Sequence, residues 1–74
     1  MNHIFTTGET VRITCAGRTL VGEIVFASGN GRSLMLGFEA ILEGHVGMMP
    51  VLRDDDSTYR SIMNGVAVML EAHA

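Results

Sequence analysis

Polar and apolar positions alternate with period two along much of the chain. In "TVRITC" (10–15), Val11, Ile13 and Cys15 share one face, while Thr10, Arg12 and Thr14 take the other. That is the pattern of a half-buried strand. "RTLVGEIVFA" (18–27) continues it, with Leu20, Gly22, Ile24 and Phe26 opposite Thr19, Val21, Glu23 and Val25. "SLMLGF" brings Leu34, Leu36 and Phe38 together. Leu34, Phe38, Ile41 and Leu42 also fit a helical stripe, with Ser33 as cap and Gly44 as stop. Gly37 and the alternation before it favour a strand over 33–39, leaving 40–45 as a loop or a short turn of helix. "VGMMPVL" reads as a strand in which Pro50 must sit at an edge or a bulge, because proline has no N–H for a ladder.

The segments between these runs are turn chemistry. "CAGR", "SGNGR", "DDDST" and "NG" are rich in glycine, asparagine and aspartate, which tolerate positive φ. "YRSIM" and "VAVML" flank Asn64-Gly65, the preferred pair of a two-residue type I′ hairpin. The pattern therefore predicts one all-β domain over 1–74, with five or six short antiparallel strands, little or no helix, and loose termini at 1–7 and 72–74. An open sheet of that size leaves a face and two edges wet. Closure into a small SH3-like barrel or barrel-like meander removes both problems. Such an architecture serves many functions and implies none.

Several strands are apolar on both faces. Val21 and Val25 back Leu20 and Ile24; Ala67 and Met69 back Val66, Val68 and Leu70; Met48 and Met49 are adjacent and so face opposite ways. A 74-residue barrel cannot hide both faces of three strands by itself. Either the segment 40–47 folds over the outer side, or a partner covers it. The surplus favours a homo-oligomer or a protein partner, with Val21, Val25, Met35, Met48, Met49 and Met69 as the interface and Val51 beside them. Methionine suits such a surface because its flexible thioether adapts to irregular contacts.

Composition agrees. The chain is 47% hydrophobic and only 18% charged, and it holds a single cysteine. One thiol excludes an internal disulfide and a zinc framework, the usual supports of very small domains, so association is the remaining one. No apolar run approaches the length of a membrane span, and "MNHIFTTGE" has no basic segment leading into an apolar stretch. A cytoplasmic chain is the expectation. The formal net charge of −3 argues against a nucleic-acid surface. That alternative needs Arg12, Arg18, Arg32 and Arg60 to cluster as phosphate contacts, with Tyr59 or Phe38 as a stacking platform.

Asp54-Asp55-Asp56 is the most conspicuous candidate for chemistry. An EF-hand loop starting at Asp54 needs glycine at the sixth position and glutamate at the twelfth; these are Tyr59 and Gly65. The run therefore reads as a solvated turn. "SGNGR" resembles a phosphate-cradling loop with Arg32 as counter-charge, but such loops open a helix, and this one returns into a strand. "FASGNG" places Ser28 and Gly31 at the spacing of the Asp/Asn-x-Ser-x-x-Gly motif, with Gly22 ahead of them. In these residues the chain resembles the PilZ family, small barrels that bind cyclic dinucleotides. The resemblance covers about a dozen residues and implies a phosphate or cyclic-dinucleotide site made of Arg12, Arg18, Ser28, Gly31 and Arg32. Two departures stand against it: Phe26 occupies the acidic or amide position, and Arg12 and Arg18 are six apart where the family has four.

His3, His45 and His73 share no short motif, so no metal site is expected. Cys15 falls on the inward face and reads as a small hydrophobe. There is no nucleophile elbow and no carboxylate pair in a cleft context, so the sequence points to a non-enzymatic module without a cofactor.

Overall fold

The computed structural model describes residues 3–54 and 58–73. Six strands, β1 (Thr10–Cys15), β2 (Arg18–Ala27), β3 (Ser33–Leu42), β4 (His45–Arg53), β5 (Tyr59–Ser61) and β6 (Ala67–Ala72), form a closed antiparallel barrel in which each pairs with the next and β6 returns to β1. No helix occurs among the described residues, so none can cross a membrane. The alternating apolar positions fill the interior: Val11, Ile13 and Cys15 of β1, Ile24 of β2, Leu34, Leu36, Phe38 and Leu42 of β3, Met49 and Val51 of β4, Tyr59 of β5 and Val68 of β6.

The strands and turns depart from the sequence expectation in three respects. Ile24 pairs with Leu36 but Phe26 pairs with Met35, so Val25 is an extra residue in β2. A bulge of this kind shifts the pleat by one. Phe26, expected on the inner face with Ile24, is turned outward and is exposed. In the second place, β3 runs on through residues 40–42 rather than breaking into a loop or helical turn. It reverses at Glu43 and Gly44, both at positive φ (46° and 80°), between paired Leu42 and His45. Positive φ at both central residues is the type I′ requirement. Ala16 and Gly17 (50° and 80°) do the same between Cys15 and Arg18.

The third departure is the hairpin at Asn64-Gly65. β5 stops at Ser61, and residues 62–65 form a four-residue loop closed by the Gly65 N–H on the Ser61 carbonyl. Only Gly65 has positive φ (77°), so the turn is not type I′. Asn64 works through its side chain: Oδ1 accepts from the Val66 N–H, and Nδ2 donates to the Glu43 carbonyl. The turn expected over 54–58 lies largely outside the described residues. Asp54 itself accepts from the Thr58 N–H and from Arg60 Nε.

The expectation of loose termini is corrected for the described parts. Phe5 is buried in the core, Thr7 Oγ1 accepts from the Ala27 N–H, and Gly8 and Glu9 bond the main chain of Ile24. Ala72 pairs with Val11, and the His73 N–H reaches the Thr10 carbonyl.

Candidate functional site

β4 has apolar residues at every outward position. His45, Met49 and Val51 are buried, while the alternate residues Val46, Met48, Pro50 and Leu52 face out. Val46 is 75% exposed, Met48 51% and Leu52 47%, values that make the outer side of β4 solvent-facing grease. Neighbouring elements extend it. Ile41 of β3 is paired with Val46 and is itself exposed. Further along, Phe26, Met35 and Pro50 lie directly opposite one another across β2, β3 and β4, and the Ile62 N–H bonds the Pro50 carbonyl on the far side. The result is a row of four apolar residues running across four consecutive segments of the chain.

The bulge at Val25 is what brings Phe26 into this row. Pro50 shapes it too: its carbonyl accepts from Ile62, but it has no N–H to return, and the β4–β5 ladder covers only Val51–Arg53. The ladder ending there fits the expectation that proline sits where pairing ends. Beside the row, Val21, Val25, Gly37 and Met48 line a shallow groove whose rim carries Arg18, Glu23 and Glu39. Gly37 leaves room there for Val25: a Cβ on it would come within 2.7 Å of Val25 Cγ2.

Of the interface residues expected from the sequence, Val21, Val25, Met35 and Met48 share this outer surface. Two assignments are corrected. Met49 is 0% exposed and Val51 is fully buried, because both fall on the inward phase of β4. Met69 is exposed but lies on β6 opposite Thr14 of β1, apart from the others. The segment 40–47 does not fold over the apolar face; it continues the sheet and adds Ile41 and Val46 to it. Phe26, Ile41, Val46, Pro50, Leu52 and Ile62 are the members that sequence reasoning missed.

The arginines do not converge. Arg18 begins β2 and Arg32 lies beyond its end, so they occupy opposite ends of the barrel. Arg12 lies 3.8 Å from Glu71, Arg60 2.8 Å from Asp54, Arg18 donates to the Ile41 carbonyl and Arg32 to the Arg53 carbonyl. Tyr59 and Phe38 are buried, which removes both as stacking platforms for nucleic acid. The turn holding Ser28, Gly31 and Arg32 spends its polar groups on itself. Asn30 Oδ1 accepts from the Ser28 hydroxyl and the Arg32 N–H, Ser28 Oγ accepts from the Ser33 N–H, and the Gly31 N–H bonds the Ser28 carbonyl. Arg18 is remote from that turn, and Arg12 lies in β1, away from it, so the grouping implied by the PilZ resemblance is not assembled.

Among the described residues no three His, Cys, Asp or Glu side chains converge as a metal site. Cys15 is buried; loss of solvation and the nearby Glu43 carboxylate both raise its pKa above the ordinary value of 9.0. A thiol held neutral in this way is a packing group rather than a nucleophile. His45 and Ser61 form a buried pair at 2.7 Å. The imidazole is backed by the Leu42 carbonyl rather than a carboxylate, and the serine oxygen also accepts from the Met63 and Asn64 N–H groups. Sixteen residues separate the two in sequence, which left no motif to find.

Comparison of the chain with protein-family models, curated proteins and solved structures finds no match.

Proposed function

We propose that the chain is a non-enzymatic barrel module that self-associates, with the outer face of β4 meeting the same face of a second copy. The observation that carries this reading is that all four outward residues of β4 are apolar and continue without interruption into Ile41, Met35, Phe26 and Ile62. Monomers seldom leave contiguous apolar patches of more than a few hundred Å² in water. A standard complex buries ~800 Å² of each partner, and Phe26, Ile41, Val46, Met48, Leu52 and Ile62 are all exposed on this face. Charge points to a second copy rather than a strongly acidic or basic partner. The rim carries Arg18 together with Glu23 and Glu39, and a mixed rim of this kind is compatible with a second copy across a two-fold axis, where Arg18 of one copy can meet a glutamate of the other. The His45–Ser61 pair supports a structural rather than catalytic reading, since its oxygen is buried and already accepts two N–H bonds. A lone buried thiol fits a reducing, cytoplasmic setting.

Size-exclusion chromatography with light scattering at tens of micromolar protein tests the proposal. A dimer or higher oligomer is expected, and Val46→Glu with Met48→Glu should give a folded monomer, since both side chains are exposed on the barrel. A wild-type chain that remains monomeric under those conditions ends the self-association reading.

A further inference from the structure

The barrel wall has a seam between the first half of β2 and the second half of β3. The ladder joining these strands covers only residues 23–27 and 34–37, so residues 18–22 pair with β1 alone. The cause lies in β3. Between the pairs Gly37–Met48 and Ile41–Val46, residues 38–40 face Gly47 alone on β4. Extra residues of this kind bend the strand that carries them, and β3 parts from β2 just after Gly37. Leu20, on the inward phase of β2, is therefore only half-buried. The shallow groove beside the apolar row follows this seam, with a volume of about 790 Å³ and Leu20, Val21, Phe38 and Ala40 along it.

The main chain of β2 shows what the groove offers. Ile24 donates its N–H to the Glu9 carbonyl and accepts from the Gly8 N–H, so both its groups point to the β1 side. Successive residues of an antiparallel strand alternate in this respect. Glu23, Val21 and Thr19 therefore point to the β3 side, where Glu23 meets Gly37 and the other two have no partner in the ladder. On the opposite lip the Ile41 carbonyl faces the seam, since Arg18 Nη1 donates to it at 2.7 Å. N–H and C=O groups repeating every second residue are matched by one kind of occupant, another extended backbone. No described end of this chain is free to serve: Phe5 is buried in the core and Ala72 is paired with Val11. The β2 edge of a second barrel sits behind its own β3 lip, which keeps two such edges apart. The rim also sets a direction. Glu23 and Glu39 lie toward the closed end of the seam, whereas Arg18 lies at the other and keeps further N–H donors beyond the one on Ile41.

We propose that this seam takes up an extended segment of another protein as an added strand antiparallel to β2. Its alternate residues are apolar and face Leu20 and Ala40; it carries a basic residue at its start, near Glu39, and an acidic one at its end, on Arg18. The inference is independent of self-association through β4, and light scattering on the same samples reads that property separately. The test uses the full chain and the peptide acetyl-Lys-Val-Thr-Val-Glu-amide, followed by amide chemical shifts and hydrogen exchange. In the free protein the Thr19 and Val21 amides should exchange fast, while those of Leu20 and Gly22, directed at β1, are protected. The peptide should bind with a Kd of about 1 mM or tighter and slow exchange at Thr19 and Val21. Two N-methylated forms then read the strand geometry. Methylation at the threonine and glutamate, whose N–H groups face β2, should weaken binding roughly tenfold or more. Methylation at the two valines, whose N–H groups point away from β2, should leave it nearly unchanged. Protected Thr19 and Val21 amides in the free chain, no binding by the peptide, equal loss in the two methylated forms, or shifts confined to the β4 face would each overturn the assignment.

Discussion

The Ser61 hydroxyl donates a hydrogen bond to His45 Nε2 across 2.7 Å, with both residues buried. The direction is fixed by the other ring nitrogen. His45 Nδ1 lies 2.9 Å from the Leu42 carbonyl, which can only accept, so Nδ1 carries the proton and, in the neutral imidazole, Nε2 is the acceptor. The pair ties the β3–β4 hairpin to the end of β5, where the ladder alone is only three residues long. Ser61→Ala should cost about 1–3 kcal/mol, because it strands a buried imidazole nitrogen. His45→Phe should cost a similar amount, and the double variant clearly less than the sum, since the two act as one unit. Urea denaturation at a fixed protomer concentration measures all three; additive losses would show that the residues are not coupled.

Ala16 and Glu43 hold positive φ without being glycine or asparagine, at 50° and 46°. Left-handed geometry costs a residue with a Cβ roughly 1–2 kcal/mol, less for asparagine. Ala16→Asn and Glu43→Asn should therefore each stabilise the barrel by about 0.5–1 kcal/mol, raising Tm by a few degrees. Thermal melts decide it. A fall in Tm would mean that the native side chains make contacts worth more than the backbone strain.

These same turns mark where the sequence is hard to read. Period-two alternation places Val11, Ile13, Cys15, Leu34, Leu36 and Phe38 inside and implies closure of an all-β chain, because a strand's inner face is legible wherever the pleat is regular. It fails at Phe26, since a one-residue bulge at Val25 leaves no compositional trace and reverses the face of the next residue. The type I′ turn at Glu43-Gly44 is hidden because glutamate is an unfavourable residue for it, whereas Asn64-Gly65 advertises such a turn and forms a longer loop. The apolar outer face is partly legible. Val21, Val25 and Met48 are recognisable as surplus, but Met49 and Val51 cannot be separated from Met48 and Pro50 until the phase of β4 is known. The shortness of β5 and the return of Phe5 to the core leave no trace in the sequence either.

Gly22 of β2 lies against the Gly37 backbone of β3. A Cβ there would strike the Gly37 carbonyl oxygen and come within 2.7 Å of Ile13 Cδ1. The carbonyl belongs to the sheet and cannot swing aside as a side-chain end can. Gly22→Ala should destabilise by about 1–3 kcal/mol through overpacking and displaced backbone. Gly29→Ala is the control, because nothing lies within 4 Å of a Cβ at that position; it should leave stability nearly unchanged. Equal effects at the two positions would show that the close approach at Gly22 relaxes freely.

Alkaline pH should weaken the fold through two buried acids. Burial raises the pKa of Cys15 above 9.0, with Glu43 adding to the shift, and burial raises that of Tyr59 above 10.0 against the opposing charge of Arg53. In each case the folded form keeps its proton after the unfolded chain has released it. Between the two pKa values the native state binds more protons than the unfolded one, so stability falls as pH rises. The contribution is fully present below about pH 9 and is lost progressively above it. Melting temperatures from about pH 7 to about pH 11 should be flat with respect to these groups up to about 9 and then decline. Cys15→Ala should flatten the early part of the decline and Tyr59→Phe the later part, each at some cost in stability at neutral pH from the lost packing or the lost bond to the Gly31 carbonyl. The same physics makes the native thiol slow to react with a disulfide reagent at about pH 8 and fast once urea has unfolded the chain. Equal thiol reactivity in the two states would mean that Cys15 is reached through openings of the barrel far smaller than global unfolding.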